Sequence, residues 1–372
     1  MTRAIAIAAG GGGDAVTTSV IATKLSHLGV TAILTYSWDR LLIDPTPGPR
    51  TAADFDGLID RGGVMQVPPT ASLRTGGHST IPHVAHCIPQ PVLLMDIDDG
   101  AVGLIRQIVR AAELYAADEV IVIDIGGDIL GEGHEAELRS PLADSLALAA
   151  AVGSGMPVRL LVAGMGLDGE LTAAQLAARC TALTYQVIGA LEPADVAPVA
   201  EVWSWHPSEA NGLLAVAATG WRGRVETQRD AVFDITDAAT EVLEIPARAA
   251  ATSTLAAALA STDSLAEVEQ ILRDRRGYSD IDFERRRASS RSAARMPTEE
   301  ALTTIDEYAV DAARRGVDAL TVRRVIELSG ATDALAMRAL RESLSKWRPA
   351  RFVPPLYLVS LVSATRLPLA SQ

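Results

Sequence analysis

Acidic residues follow three apolar runs of this sequence at the points where those runs end. They lie in MDIDDG, which contains Asp96, Asp98 and Asp99; in DIGGD, which contains Asp124 and Asp128; and in GMGLDGE, which contains Gly166, Asp168 and Glu170. Grouped carboxylates can hold Mg²⁺ against substrate phosphates, bind an amine or guanidinium group, accept hydrogen bonds from sugar hydroxyls or act as a general base. Aspartate is also a preferred helix N-cap, so Asp99 and Asp168 have a structural alternative.

The DIGGD string supplies the pair that we predict to be functional. Gly126 and Gly127 stand between Asp124 and Asp128 and leave room for a ligand close to the backbone. We therefore predict Asp124 and Asp128 as a catalytic base or as ligands of a metal ion, with Mg²⁺ as the candidate cofactor.

The segment after DIGGDIL adds polar side chains that would line the same crevice. Glu135 is a further catalytic candidate, and Ser140 and Asp144 are lining residues. Arg139 is a candidate clamp, because the planar guanidinium group matches a phosphate or carboxylate.

A run of four glycines follows the first apolar stretch and precedes an amphipathic segment. Such a loop exposes backbone N–H groups at the start of a helix, where they bind a phosphate, a carboxylate or a nucleotide. A purely structural turn is the alternative, because the P-loop motif is absent and the dinucleotide fingerprint is matched only loosely. The predicted ligand-binding residues are Gly10, Gly11, Gly12, Gly13 and Asp14, although the Asp14 carboxylate would either cap the helix or compete with a bound anion.

Two further groups of residues are weaker candidates. Trp38, Asp39 and Arg40 follow the second apolar run, where the base and ribose of a nucleotide lie in sheets of this kind. A stacking or ribose role and a purely structural role are equally well supported. The string GGHSTIPHVAHC places three histidines before Cys87 and suggests zinc, but no second ligand pair at fixed spacing follows, and an exposed loop is the better interpretation.

The elements that must position these residues alternate between strand and helix. Apolar runs at 3–9, 30–37, 91–97, 119–125 and 158–164 predict strands, and periodic patterns at 101–116, 141–152 and 172–186 predict helices. Alternation of this kind predicts an α/β fold with a Rossmann-like, doubly wound and mainly parallel sheet, whose ligand lies at the carboxyl ends of the strands. Shorter patterns at 202–205, 213–219 and 231–235 predict additional strands.

Composition excludes several classes of function. A formal charge of −13 and a pI near 5.0 give the whole chain no electrostatic attraction to nucleic acid or to anionic membranes. No apolar stretch approaches the roughly 20 residues of a membrane-spanning helix. The two cysteines are too few for a disulfide framework, so we expect a cytoplasmic protein.

The C-terminal part of the sequence differs from the rest. We predict a Rossmann-like domain over 1–285 with the glycine- and aspartate-rich crevice, and a helical region over 298–372 that could form a homo-oligomer contact. Residues 320–345 read as two helices joined by SGAT, a spacing compatible with a helix-turn-helix. Because residues 271–350 contain 16 Lys and Arg against 13 Asp and Glu, nucleic acid is not the partner that we expect.

The order of these strings resembles an uncharacterised family of archaeal and actinobacterial proteins, the domain of unknown function 1152. GGGGD, SWDR with DPTPGPR, DIGGDIL with SPLAD, and GMGLDGELT carry the resemblance over roughly residues 3–245. It implies a Rossmann-like sheet and no particular reaction. Members of the family carry a TEAS-like string where this chain has WSWHPSEA, so the resemblance suggests Glu209 as the residue that keeps its role.

Three functions remain open from the sequence. The first is an enzyme, a transferase or hydrolase rather than a redox enzyme, that acts on a phosphorylated or nucleotide-like small molecule with or without a metal ion. The second is an enzyme whose acidic pocket binds a cationic amino or guanidino metabolite without metal. The third is a regulatory protein that uses the C-terminal helix-turn-helix.

Overall fold

The computed structural model describes residues 2–360, whose strands and helices alternate over most of the chain. The strands are β1 (Ala4–Ala8), β2 (Val30–Thr35), β3 (Phe55–Asp56), β4 (Ile59–Asp60), β5 (Met65–Gln66), β6 (Ser72–Leu73), β7 (Val92–Leu94), β8 (Glu119–Ile125), β9 (Val158–Ala163), β10 (Gln186–Ala190), β11 (Gly223–Glu226), β12 (Val232–Ile235), β13 (Glu241–Ile245), β14 (Ala319–Thr321), β15 (Phe352–Val353) and β16 (Leu356–Leu358).

The helices are spread along the whole chain. Many of them form where the apolar pattern has helical spacing or the sequence is rich in alanine. They are α1 (Gly12–Lys24), α2 (Ile81–Cys87), α3 (Gly100–Tyr115), α4 (Pro141–Gly153), α5 (Ala173–Leu183), α6 (Pro193–Val196), α7 (Val202–Trp205), α8 (Glu209–Ala218), α9 (Ala247–Ser253), α10 (Ala256–Leu259), α11 (Leu265–Arg276), α12 (Asp280–Ser289), α13 (Glu299–Arg314), α14 (Val322–Ser329) and α15 (Ala334–Trp347). None of them is long and apolar enough to cross a membrane.

The chain divides into two compact units. The first contains residues 2–190 and 241–290, and the second contains residues 191–240 and 291–360. The sequence predicted a division at 285–297, and the last passage between the units falls at residue 290. The chain also passes between them near residues 190 and 240, where no local sequence signal marks a boundary.

A nine-stranded, mainly parallel sheet forms the centre of the first unit. Its strand order is β10-β13-β9-β8-β1-β2-β7-β5-β4, and the five strands from β9 to β7 are parallel. The remaining strands are antiparallel additions at the two edges. The α/β class predicted from alternating patterns is therefore confirmed.

Helices cover both faces of this sheet. Ile5 and Ile7 of β1 belong to one apolar cluster with α3, α4, α9 and α10, whereas the alternate residues Ala4, Ala6 and Ala8 are buried outside that cluster. Successive side chains of a strand point to opposite faces of the sheet, so both faces are buried at β1. This explains why the strands are apolar throughout instead of alternating between apolar and polar residues. The loops at the carboxyl ends of the parallel strands are thereby held by rigid elements.

The second unit contains a smaller five-stranded sheet of order β12-β11-β14-β16-β15 together with α6–α8 and α13–α15. The prediction of strands at 202–205 and 213–219 was wrong, because these residues form α7 and most of α8. Nearly all of α8 is buried, so it lacks the one-sided apolar stripe that marks a helix, and its alanines favour helix over strand. The region predicted as helical over 298–372 contains β14, β15 and β16 as well as three helices, and residues 361–372 lie outside the described part.

Candidate functional site

Six carboxylates from four segments meet at the carboxyl ends of β1, β8 and β9 in the first unit. We call them the acidic cluster: Asp14, Asp124, Asp128, Asp144, Asp168 and Glu170. Asp124 is the penultimate residue of β8, and Asp168 and Glu170 follow β9. Asp14 and Asp144 lie in the first turns of α1 and α4, where the positive end of a helix favours a negative charge.

Three members of the cluster lie close enough together that they could hold one metal ion. Asp124, Asp128 and Asp144 are buried, and one oxygen of each lies within 4.8 Å of the others. Asp124 is only 1% exposed, its Oδ2 accepts a hydrogen bond from Gly127 N at 2.8 Å, and its Oδ1 receives none from any donor in the described residues. A buried carboxylate oxygen without a donor is costly, so this atom is one of the least compensated polar atoms of the cluster.

Mutual repulsion and burial hold protons on this group. Burial and the charge of Asp14 raise the pKa of Asp124 to about 7. Burial raises the pKa of Asp128, with Asp144 and Glu170 as the main repelling neighbours, and burial together with Asp124 raises that of Asp144. A cation that bound these carboxyl groups would have to displace their protons, because carboxylates bind metal ions in the deprotonated form.

Asp168 and Glu170 differ in how many hydrogen bonds from neighbouring groups compensate the charge of the carboxylate. Glu170 accepts hydrogen bonds from Arg139 N at 2.7 Å, Ser140 N at 2.9 Å and Ser140 Oγ at 2.6 Å. Asp168 Oδ1 accepts from Glu170 N at 2.9 Å, but its buried Oδ2 has no donor among the described residues. Burial and the charge of Glu170 raise the pKa of Asp168. Asp168 is therefore a second carboxylate able to take a ligand or a proton.

The glycines of the site leave space for these carboxylates. A β-carbon at Gly10 would overlap the Asp14 carboxylate, and one at Gly126, where φ is 129°, would overlap Asp168. A β-carbon at Gly11 would lie 2.6 Å from the backbone oxygen of Trp38. A larger residue at these positions would require its neighbours to move. The glycines therefore pack directly against the residues of the cluster and do not leave open space beside them.

Few cations face the cluster. Arg40 lies on its exposed side, where desolvation lowers the pKa of the guanidinium but attraction by Glu170, Glu284, Asp128 and Asp14 outweighs this and raises it. Nearby on α12, Asp280 is paired with Arg276 at 3.3 Å and accepts from Leu142 N at 2.7 Å. Arg40 is thus a cation that interacts with at least three of the six carboxylates.

Comparison with known proteins identifies this domain as one that recurs in a family. The model of the family described as Protein of unknown function (DUF1152) matches residues 5–288. The chain belongs to this family. No curated protein and no solved structure matches the chain. Every member of the acidic cluster lies within the residues that the family model matches.

Several residues predicted from the sequence lie elsewhere in the first unit. Both oxygens of Asp39 accept hydrogen bonds from Thr80 at the start of α2, and Trp38 Nε1 donates to Glu284 at 3.0 Å. Asp96 accepts from Ala52 N at 2.9 Å. Asp98 is exposed beside Asp96 and Asp99, and neither Asp96 nor Asp98 is among the groups that perturb the cluster.

The side chains of Glu135 and Arg139 form their contacts within their own loop. Glu135 accepts hydrogen bonds from the backbone N–H groups of Glu132, Gly133 and His134, which lower its pKa although burial raises it. The Arg139 guanidinium pairs with Glu137 at 2.9 Å, and only its backbone N–H reaches Glu170. Gly166, with φ of 81°, donates to the oxygen of Gly126 and so ties the two strand-exit loops together.

Two other predicted groups lie apart from this geometry. Glu209 belongs to the second unit, where its carboxylate accepts from the Thr321 hydroxyl and from Gln228 N. Within residues 2–360, the histidines of GGHSTIPHVAHC and Cys87 form no group of three possible metal ligands.

Sequence reasoning placed Arg40 beside a nucleotide's base and ribose rather than beside carboxylates, and it did not assign a role to Asp280 or Glu284. Asp280 and Glu284 lie more than 100 residues from the strings that carry the motifs, in a stretch that reads as polar and arginine-rich. Their spacing of four residues places them on one face of α12, which was the one available signal.

Proposed function

We propose that this chain is a divalent-cation-dependent enzyme that acts on a phosphorylated or nucleotide-like small molecule by transfer or hydrolysis. One observation carries the proposal: buried oxygens of Asp124, Asp128 and Asp144 lie within 4.8 Å of one another while Asp124 Oδ1 has no donor. Ligand oxygens on one octahedral Mg²⁺ are roughly 3–4 Å apart, since each lies at about 2.0–2.1 Å from the ion. A hard cation with a preference for carboxylates suits this group.

The position of the cluster supports a Rossmann-like assignment. The parallel strands follow the order β7-β2-β1-β8-β9, and the chain reverses direction across the sheet between β1 and β8. Ligands of doubly wound sheets lie at such a switch point, outside the carboxyl ends of the strands. Asp14, which follows β1, and Asp124, at the end of β8, come from the two strands that flank it.

In this proposal the bound ion supplies charge that orients and polarises a substrate phosphate. Asp124, Asp128 and Asp144 would hold the ion. Backbone N–H groups at the start of α1 and the Arg40 guanidinium would bind phosphate oxygens. Asp168 would accept a proton from the attacking group, because its Oδ2 is free of donors and its pKa is raised. Because Asp14 lies against the glycine loop, an anion would be repelled there unless the cation is present.

A second function has its own supporting observation. The cluster brings six carboxylates together with one arginine on its exposed side. An amino or guanidino metabolite would neutralise this charge without a metal ion, through charge-assisted hydrogen bonds.

Calorimetric titration and thermal melting of chelator-treated protein distinguish the two functions. We expect MgCl₂ or MnCl₂ to bind and raise the melting temperature of the wild type, because a ligand of the native state stabilises it. The effect should be lost in Asp124→Asn and Asp128→Asn and retained in Asp98→Asn, a matched strand-exit aspartate outside the cluster. A nucleoside or sugar phosphate should add stabilisation only with the metal present. Stabilisation by agmatine or an amino sugar in the absence of metal would favour the second function, and a response to neither would refute both.

A further inference from the structure

Beyond the residues matched by the family model, the second unit contains a helix-turn-helix followed by a β-hairpin. The elements run in the order α13, β14, α14, α15, β15, β16, and β16 pairs antiparallel with both β14 and β15. Four residues separate α14 from α15, and the first of them, Gly330, has φ of 70°. A short turn that contains glycine between two such helices is typical of the DNA-binding helix-turn-helix.

Side-chain caps and an apolar core fix the second helix of this motif. Asp333 accepts a hydrogen bond from Ala336 N at 2.8 Å and so caps α15. Residues of α13, α14 and α15 are buried, among them Ile305, Val325, Leu340 and Leu344. The opposite face of α15 is exposed and carries Leu335, Arg338, Glu342 and Lys346, with Leu335 67% exposed. These positions follow the spacing of one helix face.

The cations around this face differ from the other cations of the second unit. Most arginines of the unit are paired with carboxylates, as Arg324 is with Glu226 and Arg348 with Asp306. Among residues 2–360 no carboxylate pairs with Arg295, Arg338 or Lys346. Arg295 packs against Gly330 in the turn, Arg338 is exposed on α15, and Lys346 lies 4.6 Å from the ring of Trp347, which is 59% exposed. Cations without a carboxylate partner therefore lie along the turn and the exposed face of α15.

We propose that this motif binds duplex DNA, with α15 in the major groove. The exposed side chains are of the types that contact base edges: Arg338 suits guanine, Glu342 can accept from the amino group of cytosine, and Leu335 can contact a thymine methyl group. Arg295 and Lys346 would contact phosphates. The proposal is independent of the reaction proposed for the acidic cluster, because it uses no residue of the first unit.

The charge of the chain limits the strength expected for this binding. The whole chain carries −13, but residues 291–360 contain 11 Lys and Arg against 9 Asp and Glu, so the acidic excess lies elsewhere. Binding through a few phosphate contacts weakens steeply as salt rises. We therefore expect binding at low ionic strength that is lost at high ionic strength.

Fluorescence anisotropy with labelled mixed-sequence duplex DNA tests the proposal on the full chain. At low salt the wild type should bind duplex DNA more tightly than single-stranded DNA of the same length. Arg338→Glu with Lys346→Glu should weaken binding by about tenfold or more and make it less dependent on salt. The control, Arg224→Glu with Arg314→Glu, changes two exposed arginines of the second unit outside α15 by the same charge and should alter the affinity by less than about twofold.

Three outcomes would overturn the inference. The first is a wild type that does not bind duplex DNA at low salt. The second is an equal loss of binding in the control variant, which would indicate attraction by overall charge alone. The third is a dimer of the wild type, seen by light scattering, that Leu335→Asp converts to monomer without any DNA binding, which would assign the α15 face to a second copy of the chain.

Discussion

Two buried carboxylates of this protein differ in how their charge is compensated. Glu226 of the second unit is 0% exposed and accepts from Arg324 Nε at 3.0 Å, from Arg315 Nη2 at 2.8 Å and from the Tyr308 hydroxyl. Asp124 of the acidic cluster is 1% exposed; its Oδ2 accepts from Gly127 N, and its neighbouring side chains include the carboxyl groups of Asp14, Asp128 and Asp144. Two carboxylates can therefore be equally buried while cations compensate the charge of one and other carboxyl groups surround the other, a contrast that marks candidate functional groups.

The largest effect should come from Glu226. Glu226→Gln removes the charge that balances two arginines, and we expect the free energy of unfolding to fall by about 3–5 kcal/mol, as when one partner of a buried ion pair is removed. Urea unfolding followed by tryptophan fluorescence measures this well, because Trp203, Trp205, Trp221 and Trp347 all lie in the second unit. Glu201→Gln, an exposed acid of the same unit, is the matched control. An unchanged midpoint in Glu226→Gln would mean that the network is not structural.

The same chemical change in the acidic cluster should have the opposite sign. Burial and the charges of Asp144, Glu170 and Asp124 raise the pKa of Asp128, so folding at neutral pH requires this carboxyl either to take up a proton or to remain charged beside them. Asp128→Asn removes that cost, so we expect the metal-free protein to gain about 1–2 kcal/mol. Scanning calorimetry of chelator-treated protein at neutral pH would detect a higher melting temperature, with Asp98→Asn as the control. A destabilised Asp128→Asn would indicate that this carboxylate supports the fold rather than a ligand.

The pH dependence of stability should reveal the raised pKa values. Burial and Asp14 raise the pKa of Asp124 from 3.8 to about 7, so the folded state holds a proton that the unfolded state has released. This contribution is fully present below about pH 4 and is lost as the pH rises through 7, so the metal-free protein should melt at lower temperature at pH 8 than at pH 5. Asp280, whose pKa burial also raises to about 7, acts in the same direction.

Asp124→Asn should flatten this profile, whereas Asp263→Asn, at an exposed aspartate of the same unit outside the cluster, should leave it unchanged. Saturating Mg²⁺ should flatten it in the wild type as well, because the ion replaces the proton. Parallel profiles of Asp124→Asn and wild type without metal would show that this carboxyl does not titrate as its surroundings indicate.

The smallest effect should come from the one well-compensated member of the cluster. Ser140→Ala removes one of the three hydrogen bonds to Glu170, and we expect a loss of about 1 kcal/mol in the free energy of unfolding. Denaturant titration measures this change, and Ser289→Ala, at an exposed serine on α12, provides the control. A loss as large as that of Glu226→Gln would show that Glu170 belongs with the structural carboxylates.

The sequence predicted much of the first unit and the centre of its site. Apolar runs without alternation indicated strands covered on both faces, and β1, β2, β7, β8 and β9 lie where those runs stand. Asp124 and Asp128 were predicted as a pair because they share one loop, and the structure places them together. Asp144 was predicted only as a lining residue, because its contribution depends on where the first turn of α4 points.

The rest depended on contacts between distant residues. Alanine-rich α8 was mistaken for a strand because burial on all sides removes the periodicity that identifies a helix. Asp39 and Glu135 resembled site residues, but Asp39 binds Thr80 and Glu135 binds its own loop. Such hydrogen bonds are chosen by three-dimensional proximity, and residue type alone does not report them.

The sequence by itself determined the α/β class, the family and the loops that carry carboxylates, because hydrophobic periodicity and glycine positions act over a few residues. Only the tertiary structure decided which carboxylates are compensated and which repel one another. Compensation depends on distances of a few ångströms between side chains far apart in the chain, as between Glu226 and Arg324 or between Asp14 and Asp124. In this protein that difference separates an acid that holds the fold together from one that we propose to hold a metal ion.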